Sequence, residues 1–238
     1  MREDNYGRIY EKLGIEDRRE GEERFRIYMR EILEKNRSIN LTAIEDEEEF
    51  MVKHFFDSLM CASSGEFREA DNIVDIGTGA GFPGIPLAAL FPEKNFVLID
   101  SLKKRIDVIR EAASGAGIKN AVFIHGRAEE LARKKDMREG FELCVSRAVA
   151  PMNILAEYCL PFVKVGGAFI AYKGPSWEGE MAEAERALEV LGGRFMRKED
   201  PPREIFPLDH KLIYIGKIKS TGSKFPRKAG TPSKNPIK

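Results

Sequence analysis

The stretch VDIGTGAGFPG, Val74 to Gly84, decides the fold. An apolar run beginning at Ile73 enters glycines at 77, 79, 81 and 84, and a helical pattern follows to about Leu90. Glycines so placed let the backbone turn tightly and leave room for a ligand to lie against bare main chain. The next apolar run, VLIDS, closes on Asp100, 23 residues after Gly77. A carboxylate there can accept hydrogen bonds from both ribose hydroxyls of an adenosine. Together they predict a nucleoside-cofactor pocket at the carboxyl end of a parallel sheet.

The flanking sequence carries the alternation such a sheet needs. Candidate strands are Ile73 to Ile76, Phe96 to Ile99, Val122 to Ile124, Leu143 to Val145 and Ala168 to Ala171, with helical stretches between them. In one of these, Leu102, Ile106, Ile109 and Ala113 line a single face that ends at Gly115 and Gly117. Alternating strands and helices predict an α/β fold with helices on both faces of the sheet. A last run, Leu212 to Ile215, follows the Pro-rich Pro201, Pro202 and Pro207 with no crossover helix, so it is expected antiparallel at one sheet edge.

Residues 1 to 60 read as a helical cap. Phe25, Tyr28, Met29, Ile32 and Leu33 share one face, and Val52, Phe55, Phe56 and Leu59 share another after the acidic run Glu45 to Glu49. NRSINLTAI, Asn36 to Ile44, reads as a loop between them. Residues 61 to 219 form the α/β core. Residues 220 to 238 hold five cations and no acid, are rich in Ser, Thr, Gly and Pro, and are expected to be a disordered basic tail able to touch phosphates.

Composition bounds the rest. With 39 Lys plus Arg against 39 Asp plus Glu, the 238-residue chain is formally neutral, which argues against a general polycation coating nucleic acid. No apolar run approaches the roughly 18 residues that span a bilayer. The opening MREDNYGRIYEKLG is too charged for a secretory leader, and Cys61, Cys144 and Cys159 have no metal-ligand spacing. A cytoplasmic protein with reduced, buried thiols and no bound metal is expected.

Two cofactors compete for the loop. Gly79, Gly81 and Gly84 satisfy G-x-G-x-x-G, the dinucleotide fingerprint of an NAD-dependent oxidoreductase. Gly77, Gly79 and Gly81, preceded by Asp75, satisfy the G-x-G-x-G of class I S-adenosylmethionine methyltransferases. The long helical segment before the loop favours the second reading. So do Pro83 and Pro86, which remove N–H donors a pyrophosphate would use. Further along, GRAEEL (Gly126 to Leu131) brings Ala128 and Glu129 towards the adenine, and Arg147 in VSRAVAP emerges at the end of the fourth strand, over the pocket mouth. Lys173, in AYKGPS, has a similar position, whereas His54, His125 and His210 read more readily as ordinary satisfied histidines. Two basic clusters, Lys103 to Arg105 and Arg127 with Arg133 to Lys135, lie near the same edge.

NRSINLTAI, HFFDSL, VDIGTGAGFPGIPLA, LIDSLKKRIDVI, GRAEEL, SRA and AYKG, in this order from about residue 25 to 217, resemble the bacterial 16S rRNA guanine-N7 methyltransferase family, also known as glucose-inhibited division protein B. The resemblance implies a Rossmann-like class I S-adenosylmethionine-dependent methyltransferase with an N-terminal helical cap. It implies 16S rRNA or the small ribosomal subunit as partner, and N7 of a guanine in the 530 loop, guanine 527, as acceptor. Carried over by motif, Gly77, Gly79, Gly81, Phe82, Asp100, Ala128, Glu129 and Arg147 line the cofactor site, with Arg147 also positioning the target base. No protein partner is evident, so a monomer is expected. The basic tail stands outside the recognised pattern. A small-molecule or protein methyltransferase of the same fold is the alternative. The residues after the fourth strand agree with N7 chemistry: S-R-A-V-A-P stands where amino-group methyltransferases carry N-P-P-[YF], and N7 has no proton for a base to remove.

Overall fold

Val74 and Ile76 point to one side of their strand and Ile73 to the other, and all three are buried, so this strand is covered on both faces. It is β1 (Asn72–Ile76) of a seven-stranded sheet in a computed structural model that describes residues 4–16, 19–39, 41–201 and 210–238. The other strands are β2 (Asn95–Asp100), β3 (Ala121–His125), β4 (Phe141–Arg147), β5 (Val163–Lys173), β6 (Gly193–Glu199) and β7 (Lys211–Lys217). Their order is β3-β2-β1-β4-β5-β7-β6. Strands β1 to β5 are parallel, whereas β7 runs antiparallel between β5 and β6. The five candidate strands are therefore all present. The expected antiparallel run is present too, but inside the sheet. The edge belongs to β6, whose sequence GRFMRKE leaves Phe195 and Met196 exposed and so lacks a buried apolar signature. The Pro-rich segment at Pro202 and Pro207 lies outside the described residues.

The chain visits β1, β2 and β3 in one direction and then crosses to β4 and β5 on the other side. That reversal opens a crevice between the carboxyl ends of β1 and β4, where parallel sheets bind ligands. Helices α1 (Asp4–Leu13), α2 (Arg19–Ile39), α6 (Gly84–Leu90) and α7 (Lys103–Gly115) cover one face together with the segment 47–69. That segment comprises α3 (Glu47–Phe50), a π-helical stretch (Met51–Phe56), α4 (Asp57–Leu59) and, after a 3-10 turn, α5 (Gly65–Glu69). Helices α8 (Ala128–Leu131), α9 (Met152–Cys159) and α10 (Trp177–Leu191) cover the other face.

The cap shares its core with the sheet. Phe25, Tyr28, Met29 and Ile32 are buried at helical spacing, and the Phe25 ring stacks on Phe55 with centroids 4.5 Å apart. Residues 36 to 39 continue α2 rather than opening a loop. The Asn36 side chain then ties the turn, donating to Thr42 O (2.8 Å) and accepting from the Leu41 and Thr42 N–H groups. All three cysteines are buried and free, and no described helix is long and apolar enough to cross a membrane.

The expected disorder of the tail is overturned. Residues 221 to 238 run along α8 and α9, Phe225 and Pro232 are buried, and Thr231–Lys234 forms a short helix, α11. Polar partners supplied by the body hold it. Arg138 donates to Thr221 O and Phe225 O, Glu139 accepts from Thr221 N–H, and Arg227 pairs at 2.6 Å with the fully buried Glu157. Low apolar content makes a segment disordered only when nothing else holds its backbone.

Candidate active site

The glycine loop leaves β1 and turns across the crevice. The Gly77 and Thr78 N–H groups both donate to Ile99 O at the end of β2 (2.8 and 3.0 Å). Beneath the loop Asp75, fully buried, accepts from Thr78 Oγ1 (2.6 Å) and Gly84 N–H (2.9 Å) through Oδ2. Burial raises its carboxyl to about 7, against the two hydrogen bonds that favour the charged form. Its Oδ1 has no partner among the described residues. Asp75 thus fixes both ends of the loop from below.

Asp100 faces the loop from β2. Its Oδ2 accepts from Gly79 N–H (3.0 Å) and its Oδ1 from Leu102 N–H (2.8 Å), so it is 5% exposed yet keeps lone pairs for further donors. Gly77, Gly79 and Gly81 all have positive φ (74°, 59° and 90°). A Cβ on Gly77 would collide with Val149 in the loop after β4, and one on Gly81 would lie 2.5 Å from Tyr28 Oη. A Cβ on Gly79 would meet nothing nearer than Gly77 O at 4.0 Å. Two of these glycines are demanded by packing. The third faces open space beside a carboxylate, a cradle that fits the ribose of S-adenosylmethionine.

The cap closes the other side. Tyr28 Oη donates to Ala80 O (2.8 Å), and His54 stacks on Phe82 with centroids 4.3 Å apart at 11°. Arg147 stands at the end of β4 as expected, but its guanidinium is only 10% exposed and turns into the cap. It donates through Nη1 to Asp57 Oδ2 (2.5 Å) and Lys53 O (3.3 Å) and through Nη2 to His54 Nδ1 (3.2 Å), with Cζ 5.3 Å from the Phe82 ring. Asp57, fully buried, also accepts from His210 Nδ1 (3.0 Å). Burial would raise the Asp57 carboxyl, but the contacts from His210 and Arg147 outweigh it and hold the carboxyl below its ordinary range. Asp57 was not singled out in the sequence. The available signal was an acid three residues after His54, on a helix whose other inward residues are Phe55, Phe56 and Leu59.

The tautomer of His54 follows from its partners. A guanidinium only donates, so Nδ1 must accept and Nε2 must carry the proton, given to Thr42 Oγ1 at 2.9 Å. Burial first, and then the neighbouring Arg147 charge, push its pKa down to about 3. An imidazole in the unfolded chain titrates near 6.5, so between these pH values the unfolded state holds the extra proton and acid favours unfolding. The penalty is absent above about pH 6.5 and reaches about 1–2 kcal/mol at pH 5. Urea unfolding at pH 7.5 and pH 5.0 should show His54→Gln losing less stability over that interval than the wild type by about this amount. Equal losses would remove His54 as the source.

The remaining expected residues divide. Ala128 and Glu129 open α8 after β3, and Gly126 N–H donates to Asp100 O (3.0 Å), which ties this segment to the pocket. The Glu129 carboxylate itself, 2% exposed, turns to the tail and accepts from Gly230 N–H (2.8 Å). Lys173 is committed to Glu180 (2.6 Å) and Ala150 O.

A sheet with a glycine loop after β1, an acid ending β2 and an antiparallel β7 inserted beside β5 is that of a class I, Rossmann-like methyltransferase. A dinucleotide-binding dehydrogenase would carry an essentially parallel sheet. Among solved structures the fold resembles an O-methyltransferase from Bacillus cereus in complex with SAH (TM-score 0.54, 17% identity, covering 80% of this chain and 90% of that one). Residues 21–199 match the model of the rRNA small subunit methyltransferase G family. The curated protein of that name from Alkaliphilus metalliredigens is 49% identical over 207 residues, 87% of each chain, and that from Clostridium botulinum (strain Eklund 17B / Type B) is 44% identical over 226 residues, 95% of each. The chain belongs to the rRNA small subunit methyltransferase G family.

Proposed function

We propose that this protein transfers the methyl group of S-adenosylmethionine to N7 of a guanine in small-subunit rRNA, at guanine 527 of the 530 loop, and that it does so in the cytoplasm. Family membership over most of the chain carries the reading. S-adenosylmethionine supplies an electrophilic methyl, and N7 offers a free lone pair, so the protein's work is alignment rather than proton removal.

The committed state of the side chains near Arg147 supports that division. His54 is neutral with both ring nitrogens engaged, and both Asp57 oxygens are bonded, so neither is poised as a general base. On the cofactor side, Asp100 accepts the ribose hydroxyls, Gly79 leaves their approach open, and Gly77, Gly81 and Phe82 shape the loop. Ala128 presents main chain to the adenine, with Glu129 holding that segment in place. Arg147 positions the target base from the crevice, held by Asp57.

The test is transfer from methyl-labelled S-adenosylmethionine to small subunits lacking the modification, followed by digestion to nucleosides. Label in 7-methylguanosine mapping to the 530 loop is expected. Label in another nucleoside, or in protein, would overturn the acceptor.

A further inference from the structure

The basic tail was singled out in the sequence, and the proposed reaction does not use it. Its fold brings together two cationic runs far apart in the chain. Arg133, after α8, donates to Pro226 O (2.5 Å), and Gly230 N–H donates to Glu129 beside Arg127. The run Arg127 to Lys135 and the run Lys224 to Lys234 are thereby stitched side by side. The tail's anchoring is done by backbone groups, by the buried Thr221 side chain, by buried Phe225 and Pro232, and by the Arg227–Glu157 pair, none of which uses a lysine of the tail. Lys224, Lys228 and Lys234 are left exposed, as are Lys134 and Lys135 across the seam. Between the runs Glu129 is buried and bonded, so the exposed acids beside the five exposed lysines are Glu130 and Asp136.

The location matters as much as the charge. Glu129 lies three residues beyond Gly126, which is bonded to Asp100, so the seam begins at the edge of the proposed cofactor pocket. The chain is neutral overall, and all five tail cations are balanced by an excess of acid elsewhere. A polyanion approaching such a body is repelled in general and drawn to this face in particular.

We propose that the strapped tail and the segment after α8 form one docking surface for the phosphate backbone of the rRNA substrate, with Lys228 and Lys234 as direct phosphate contacts. This rests on the rRNA reading above. The anchored backbone holds the lysines beside the pocket, so bound RNA is registered against the crevice as well as attracted to it.

The experiment uses the full chain with Lys228→Gln and Lys234→Gln combined, both at exposed positions. Binding to unmethylated small-subunit rRNA is measured from 50 to 200 mM KCl, with KM and kcat for unmethylated subunits and affinity for S-adenosylhomocysteine. Removing two phosphate contacts should make the log Kd against log salt slope shallower by about 1.4–1.8. The variant's deficit should accordingly be about tenfold larger at 50 mM than at 200 mM. KM should rise several-fold while S-adenosylhomocysteine affinity holds, and Lys228→Arg with Lys234→Arg should restore the wild-type slope. An unchanged slope and KM, or a KM rise accompanied by lost cofactor affinity, would overturn the docking surface while leaving the reaction intact. A wild-type protein that neither binds nor methylates the RNA would instead overturn the reading on which it rests.

Discussion

Arg147→Ala is expected to cut methyl transfer at least 100-fold and to cost about 3 kcal/mol of stability, for two separable reasons. The stability loss comes from Asp57. Its carboxylate is fully buried, and without Arg147 its Oδ2 loses a charged partner while only His210 remains on Oδ1. Breaking a buried pair from one side is costly because an uncompensated charge stays behind. The transfer loss comes from the crevice, where the guanidinium spends three of its five N–H groups on Asp57, Lys53 and His54 and is thereby fixed in orientation. Arg147→Lys keeps the charge but has no planar fork to span these acceptors, so it should recover part of the stability and little of the transfer. The double variant Arg147→Ala with Asp57→Asn removes the stranded charge. It should regain most of the lost stability, measured by urea unfolding, with transfer still at the level of the single variant. If transfer returns together with stability, Arg147 is only a strut for the cap and its assignment to the target base fails.

What the sequence disclosed depended on where a residue's partners lie. Strands β1, β2, β4 and β5 were legible because each is buried on both faces, which writes a continuous apolar run into neighbouring positions. Strand β3, at one edge and only half-buried, was legible through the short apolar run Val122 to Ile124. The glycine loop was legible for a similar reason: positive φ at 77, 79 and 81 is a local demand that only glycine meets cheaply. Strand β6 was not legible. Its sequence sets charges around Phe195 and Met196, its first half is exposed after Gly193, and a register shift between Phe195 and Arg197 breaks the alternation that would have betrayed it.

The site shows the same division more sharply. Asp75, Asp100 and the glycines lie within two consecutive strand–loop units and were found by spacing. Asp57 and Arg147 are 90 residues apart and meet only through the fold. The tail is the clearest failure of composition as a guide. Its Ser, Thr, Gly and Pro content says disorder, yet Glu129, Glu139 and Glu157 take its N–H groups and Arg133 and Arg138 take its carbonyls. The one global hint was electrostatic, since the acid excess of the body matches the cation excess of the tail. Charge balance between segments can mark an internal partner where hydrophobic patterning is silent.

The sharpest test of the cofactor cradle compares two alanine substitutions in one loop. Gly81→Ala should lose the fold: φ is +90°, and the new methyl would lie 2.5 Å from Tyr28 Oη and 2.7 Å from Ile85 Cγ1. It has to displace the side chain whose hydroxyl holds Ala80 O, so a loss of at least about 3 kcal/mol is expected in chemical unfolding. Gly79→Ala has almost the same local chemistry and a different surrounding. Its φ of +59° costs an alanine about 1 kcal/mol, but its methyl meets no protein atom closer than 4.0 Å. That variant should fold, unfold cooperatively, and bind S-adenosylhomocysteine at least tenfold more weakly, because the methyl projects into the open space on the loop where the cofactor is proposed to lie. Calorimetric titration reads the affinity, and the unfolding curve shows that the binding loss is not a folding loss. Wild-type affinity in a folded Gly79→Ala protein would mean that the open side of the loop is not where the cofactor lies. Asp100, bonded to Gly79 N–H, would then be a strut of the loop rather than the ribose acceptor.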